Sequence, residues 1–343
     1  MADFSSALYL GLRHPGAALA GWDALTLGQP AALREAPGAQ ALAASLAALQ
    51  GCQAASLLPS TLHLFWDLFG MLAREPLAIL VDGGAYPIAR WGAERAAALG
   101  LPLQVFARGD AQAAAGLARR WRRAGRRPLI LADGYNPGAQ AAPPLARYAA
   151  IARAGAGYLV LDDTQVLGLL GRDGGGSLPL HGLAGPHIVV GASLAKGFGA
   201  PLAVLAGGDA LVRRFEAHSL TRTHSSPPCA AALAAAWRAL RLNRECGDAL
   251  RRCLRRRVAQ LRAGLAAIGL ASLGGAFPVQ TVLLGRGVDA VALHAGLLRG
   301  GVATVLQPGA GAGALTFLLR ADHTAADIDA AVAALYHYLQ EAV

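Results

Sequence analysis

Six short, mostly apolar runs constrain this chain more than any other feature. They are Leu77–Val81, Leu103–Ala107, Pro128–Ala132, Tyr158–Leu161, His187–Val190 and Leu202–Ala206, and stretches of helical composition separate most of them. Continuous apolar runs, unlike alternating ones, mark strands buried on both faces. Strand–helix–strand repetition builds a mostly parallel sheet wrapped by helices, so an α/β fold is the expectation here. After Pro227-Pro228 the pattern changes. A long Ala/Arg/Leu helix runs to about Leu265. Strand-like Pro278–Leu284, a helix from Asp289 to Leu298, strands near Val302–Leu306 and Leu315–Leu319, and a helix from Thr324 to Leu339 follow. The expected organisation is a segment 1–30 packing on the small domain, a large domain 31–226 and a small C-terminal α+β domain 227–343.

Composition excludes several classes. A chain of 343 residues that is 55% hydrophobic and 15% charged is not disordered, and it is long enough for two cores. No uninterrupted apolar run reaches the roughly 18 residues a membrane helix needs. Met1-Ala2-Asp3-Phe4 lacks the basic-then-apolar pattern of a signal peptide. Cys52, Cys229, Cys246 and Cys253 form no C-x-x-C pair, which reads as free thiols in a reducing, cytoplasmic setting. The net charge of +10 concentrates at Arg119–Arg127 and Arg251–Arg257, both in helical segments. Those are solvated helix faces rather than a nucleic-acid patch, because no DNA- or RNA-binding motif accompanies them. The histidines show no metal-ligand spacing, so no metal is expected.

Ligands of open α/β sheets bind at the carboxyl ends of the strands. After Leu159–Leu161 comes Asp162-Asp163-Thr164-Gln165. After Ile188–Val190 comes Gly191-Ala192-Ser193-Leu194-Ala195-Lys196-Gly197-Phe198-Gly199. Among 31 basic residues Lys196 is the one lysine; the rest are arginine. Arginine replaces lysine on a surface, but a guanidinium does not deprotonate and cannot serve as an amine nucleophile. One strand–crossover–strand unit separates Lys196 from Asp162, which places them at neighbouring strand ends. Such a pair is either an ordinary ion pair or the protein's half of pyridoxal phosphate (PLP) chemistry. In the second case the amine forms a Schiff base and the carboxylate keeps the pyridine nitrogen protonated. Ser60, Thr61 and Leu62 open a helix that could bind a phosphate, or are plain N-cap residues. Tyr86, just past the strand ending at Asp82, could stack on the ring, or is a loop aromatic. Ser193 and Ser225 offer further hydroxyls. No P-loop is present, because Lys196 is followed by Gly197, and no G-x-G-x-x-G, H-E-x-x-H or G-x-S-x-G occurs.

These residues, taken together, resemble the fold-type-I PLP enzymes, and within them the α-oxoamine synthases (8-amino-7-oxononanoate synthase-like). Phe4–Leu12, Asp133-Gly134 with Pro144-Leu145, Leu161–Gly168, Ser193–Gly199, Ser225–Pro228 and His323-Thr324 with Asp327–Asp329 fall in the family's order and spacing. The resemblance implies a seven-stranded, mostly parallel sheet and a homodimer with a shared active site. It implies PLP bound by Ser60, Thr61, Leu62, Tyr86, Asp133, Asp162, Gln165, Ser193, Lys196, His224 and Ser225. Lys196 would be the aldimine lysine and proton shuttle, and Asp162 the pyridinium partner. Gln165 stands where the family has a histidine.

Departures leave the reaction open. Tyr86 takes the place of the family's stacking histidine. Gln307 and Thr316 take the places of its two substrate-carboxylate arginines, with Arg320 nearby but off register. Three readings follow. One is condensation of an amino acid or amine with an acyl thioester, on coenzyme A or an acyl-carrier protein. The second is amino transfer on an unusual amine or amino acid. The third is a non-catalytic relative. A small-molecule substrate is expected in the first two, and neither nucleic acid nor membrane in any.

Overall fold

The computed structural model describes residues 1–137, 142–285, 287–307 and 313–341. In chain order the elements are β1 (Ala2–Asp3), α1 (Ala39–Gln50), β2 (Ala54–Leu58), α2 (Thr61–Leu72), β3 (Leu77–Asp82), α3 (Pro87–Ala98), β4 (Leu103–Phe106), α4 (Ala111–Arg123) and β5 (Arg127–Asp133). Next come α5 (Leu145–Ala154), β6 (Tyr158–Asp162), α6 (Ser177–His181), β7 (Ile188–Ser193), β8 (Ala203–Gly207), α7 (Asp209–His218), α8 (Leu220–His224) and α9 (Ala230–Ala267). The chain closes with β9 (Ser272–Leu273), β10 (Val279–Val282), α10 (Ala290–Arg299), β11 (Val302–Ala303), β12 (Val305–Gln307), β13 (Ala314–Leu318) and α11 (Ala325–Glu341). Each of the six apolar runs is a strand.

The chain forms two compact units. The larger holds most of residues 13–245; the smaller holds residues 1–12 and the chain from Cys246 onward. Among the described residues, seven strands of the larger unit form one sheet in the order β2-β8-β7-β6-β5-β3-β4. Neighbours β4, β3, β5, β6 and β7 pair in parallel, while β8 runs antiparallel to both β7 and β2. The sheet is therefore the mostly parallel α/β sheet expected.

Both faces are covered, which explains the continuous apolar runs. Ile79, Val81, Leu129, Leu131, Val160 and Val189 point to α2, α3 and α7, where Leu64, Phe65, Leu68, Phe69 and Phe215 meet them. The alternate residues Leu80, Ile130, Leu159, Leu161 and Val190 point to α4 and α5, against Ala114, Ala118, Tyr148 and Ala152. Each fully buried Leu or Phe contributes about 1.5–3 kcal/mol. Helices α2 and α3 approach so closely that a Cβ on Gly92 would lie 2.7 Å from the Phe65 carbonyl oxygen.

In the smaller unit, β12-β13-β10-β9 form an antiparallel sheet and β1 pairs in parallel with β11. Three expectations are corrected. Only residues 1–12 belong with the small unit. Residues 13–30 belong with the larger one, where Leu25 accepts from Ala230 N at 3.0 Å. The boundary also falls inside α9, between Glu245 and Cys246, rather than before Pro227. The first half of α9 is tied to the larger unit by Asn243, which donates to the Asp173 carbonyl at 2.9 Å. The strand expected near Val302–Leu306 is two, because the chain changes pairing partner at Thr304.

Candidate active site

Parallel pairing brings three strand ends into one row. Asp133 of β5 is the register partner of Asp162 of β6, and Asp162 is the partner of Gly191 of β7. Beyond β7 the chain turns through residues 194–200 and carries Lys196. The turn closes on itself, with Leu194 O accepting from Phe198 N and Ala200 N, both at 3.2 Å, and Leu194 N donating to Leu202 O at 2.9 Å. Gly197 is required there, because a Cβ would collide with the Leu167 carbonyl oxygen. Gly168, at φ +89°, completes that close approach from the other side.

Asp162 is 5% exposed. Its Oδ1 accepts from Thr164 N at 3.0 Å, and Thr164 Oγ1 accepts from Ser193 N at 3.0 Å, so one threonine ties the two strand ends together. Burial holds the Asp162 carboxyl above its ordinary range, against the downward pull of the Thr164 bonds and the Lys196 charge. Burial likewise pushes Asp133 up to about 8, helped by the negative charge of Asp162. Lys196 is lowered from its ordinary value by desolvation, which outweighs the pull of Asp162 and Asp133. Asp162 and Asp133 thus both act electrostatically on one amine, an acidic pair whose chemistry suits a second positive group. A protonated pyridine nitrogen fits it. The neighbouring Asp163 faces elsewhere, because successive strand residues alternate sides. It accepts from Ser177 N at 2.7 Å and from Ser177 Oγ at 2.5 Å.

The loop after β3 presents Tyr86. Asp82 anchors its base, accepting from Gly84 N at 2.7 Å, Gly109 N at 3.0 Å and the Tyr148 hydroxyl at 2.6 Å. Asp133 Oδ1 accepts from Tyr86 N at 3.0 Å. The Asn136 amide donates to Gly84 O at 2.7 Å and to Asp133 Oδ2 at 3.2 Å. So held, the Tyr86 ring centroid lies 5.7 Å from Lys196 Nζ, within cation–π range. The ring is 53% exposed and available to cover a flat ligand.

Ser60 caps α2, its Oγ accepting from His63 N at 3.5 Å and lying 2.8 Å from His63 Nδ1. Thr61 and Leu62 form the first turn, whose N–H groups have no partners within the helix. Gly191 abuts Leu64 and Phe65, so the start of α2 lies over the end of β7. Ser193 Oγ accepts from Ala195 N at 3.2 Å. Gln165 is half-buried in the turn after Thr164. His224 is exposed at the end of α8, and Ser225 Oγ donates to Thr221 O at 2.6 Å. Strand-end position alone brings Asp133, Asp162, Lys196 and Tyr86 together.

The two residues expected to meet substrate belong to the smaller unit. Arg320 is 5% exposed and its guanidinium is engaged. Nη1 donates to the Asp3 carbonyl at 2.6 Å, and Nε to Asp322 Oδ1 at 2.9 Å. Gln307 is exposed at the end of β12. Thr316, where the family carries an arginine, is 1% exposed and bonds Thr281 across the sheet at 2.9 Å. Sequence reasoning missed Thr164, Asn136 and His63. Each lies one to three residues from a residue it did find, so polar neighbours of Asp162, Asp133 and Ser60 were the available signal. Among the described residues, no group of three or more His, Cys, Asp or Glu could hold a metal ion, and no helix is long and apolar enough to cross a membrane.

A family model described as aminotransferase class I and II matches residues 123–335. The 8-amino-7-oxononanoate synthase of Alcanivorax borkumensis is 30% identical over 262 residues, covering 75% of this chain and 64% of that protein. The chain spans less than two-thirds of the length of the curated relatives it matches. Among solved structures, Sphingomonas wittichii serine palmitoyltransferase superposes with a TM-score of 0.87 at 17% identity, over 99% of this chain and 87% of that one. The 8-amino-7-oxononanoate synthase of Francisella tularensis gives 0.78 at 17% identity, over 99% and 98%. At those identities the likeness is one of fold.

Proposed function

This chain belongs to the aminotransferase class I and II family, and on that premise we propose that it is a PLP-dependent transferase that condenses an amino acid, or an amine, with an acyl thioester. The observation that carries the reading is the pairing of the chain's one lysine with buried Asp162 at adjoining strand ends. Bound PLP supplies an electron sink for charge developing at the substrate's α-carbon. Asp162 holds a proton at the pyridine nitrogen, and Thr164 fixes its carboxylate. Lys196 Nζ, whose pKa burial lowers from the ordinary lysine value, takes a proton from the α-carbon and returns it. Tyr86 covers one ring face and shields the amine from water. The start of α2, with Ser60, Thr61 and Leu62, receives the phosphate. Gln165 would hold the ring hydroxyl in place of the family's histidine, and Ser193 and Asp133 brace the lysine turn and the Tyr86 loop. Release of free thiol from an acyl thioester, dependent on added amino acid and abolished in Lys196→Ala, tests this. Thiol release that ignores the amino acid removes the condensation reading.

Amino transfer is the second reading, and Tyr86 favours it, because an aromatic ring in place of the histidine removes an acid–base group from the acyl step. An amine donor alone, with no thioester, would then convert the bound cofactor to its amine form. A non-catalytic role leaves the Lys196–Asp162 pairing unexplained.

The active assembly is a homodimer in this reading. Leu62, Trp66, Trp91 and Leu220 expose 44–51% of their surface on α2, α3 and α8. Large exposed apolar side chains grouped on packed helices mark an interaction surface. It adjoins Ser60 and Thr61, and His224 and Ser225 reach a second copy's phosphate site from the end of α8. That none of the four cysteines is in a disulfide supports a reducing, cytoplasmic setting.

A further inference from the structure

One histidine far from the strand ends is bonded to the lysine turn. His14 Nε2 lies 2.8 Å from the Phe198 carbonyl oxygen, and Phe198 is two residues past Lys196. On the other side of the ring, Arg238 Nη1 lies 3.1 Å from His14 Nδ1 and also donates to the Arg13 carbonyl at 2.8 Å.

The two partners select one form of the ring. A carbonyl oxygen only accepts, so Nε2 must carry a proton. A guanidinium only donates, so Nδ1 must be bare. Both bonds exist together only in the neutral Nε2–H tautomer; a proton on Nδ1 would point at a cation.

The tethered turn has little other freedom. The Phe198 side chain is fully buried. Gly197 and Gly168 press together on the opposite side, with a Cβ on Gly168 falling 3.3 Å from Gly197 Cα. His14 therefore holds the turn at Phe198 and the 167–168 segment holds it at Gly197, the two residues that follow Lys196. Asp162, Asp133 and Tyr86 face the amine; Arg238 and Arg13 are the charged groups beside His14.

We infer that His14 is a positioning residue: through Phe198 it tethers the 194–200 turn and sets where the Lys196 amine stands relative to Asp162 and Tyr86. This rests on Lys196 being the reacting amine, as proposed above. Without the tether the turn loosens, the amine gains water, and desolvation no longer favours its neutral form.

Because the chain has one lysine, amine acylation reads it directly. Full-length protein without added cofactor is treated with acetic anhydride across a pH series, and acetylation of the Lys196 peptide is followed by mass spectrometry. In His14→Leu the pH of half-maximal reactivity rises by on the order of one unit. In His14→Gln it stays at the wild-type value, because a carboxamide offers an N–H to Phe198 and an oxygen to Arg238. In Arg238→Met it rises by less than in His14→Leu. If His14→Leu does not fold, the Gln and Met variants carry the test. An unmoved midpoint in a folded His14→Leu or in Arg238→Met overturns the inference, as does a Gln variant that shifts as the leucine one does. Failure of PLP to bind would sink the functional reading and leave this result standing.

Discussion

Asp133 and Asp162 face each other in register at the ends of two adjacent parallel strands, and both are buried. Two carboxylates so placed cannot both ionise freely, and Asp133 is pushed up to about 8. The folded protein therefore binds a proton that the unfolded chain, with an ordinary aspartate near 3.8, has lost. Between those two values the folded state holds more protons, so the Asp133 contribution falls as pH rises. Thermal melts of the cofactor-free protein should show a midpoint that drops between pH 5 and pH 8. Asp133→Asn, which keeps an acceptor for Tyr86 N, should flatten that drop. An equally steep fall in the asparagine variant would contradict it.

Tyr86 acts through its ring face rather than its hydroxyl. Tyr86→Phe keeps the face and should bind PLP within about threefold of wild type, since a cation–π contact survives. Tyr86→Ala removes it and should weaken PLP binding by on the order of tenfold, the equivalent of about 1.4 kcal/mol. Fluorescence titration with PLP reads both. Equal affinities in the two variants would show that the ring does not cover the cofactor.

Gly92 matters for packing, not for helix propensity. Alanine is the better helix former by about 1 kcal/mol. Yet its Cβ would lie 2.7 Å from the Phe65 carbonyl and 2.8 Å from the Phe69 ring, forcing α3 away from α2. Overpacking of that kind costs about 1–3 kcal/mol, so Gly92→Ala should unfold at lower urea concentration. A variant as stable as wild type would mean the two helices separate without penalty.

Trp66 should be central to the self-association surface. It is 44% exposed, and the Arg95 guanidinium stacks 4.2 Å from its ring centroid. Sedimentation velocity should find the wild-type protein dimeric and Trp66→Ala more weakly associated, monomeric at micromolar concentration, because truncating an interface aromatic removes its buried apolar area. A wild-type monomer, or an undisturbed mutant dimer, contradicts the assigned face.

Much of the fold was legible because the physics behind it is local. Leu77–Asp82 is buried at every position, so its apolar run is continuous and its strand evident. The adjoining placement of Asp162 and the lysine turn was legible from the one strand–crossover–strand unit between them, and Lys196 drew attention because arginine fills every other Lys/Arg position but cannot deprotonate. The split at Thr304 was not legible, since pairing partners are chosen in space. Nor was the unit boundary within α9, whose helical pattern runs unbroken from Ala230 to Ala267. His14 and Phe198 meet across 184 residues, and nothing in the local pattern of either announces it. Arg320 illustrates the converse. The resemblance alone brought it forward, off register from the family's substrate-carboxylate arginine, and two of its donor nitrogens are engaged by Asp3 and Asp322.

Borohydride trapping tests the central claim most directly, again because one lysine makes the answer unambiguous. The protein is incubated with PLP, reduced, digested and read by mass spectrometry, with Asp162→Ala and Lys196→Ala in parallel. The account predicts a phosphopyridoxyl adduct on the Lys196 peptide, weakened in Asp162→Ala and absent in Lys196→Ala. Protein that stays unmodified at Lys196, with label confined to the terminal amine, would contradict it.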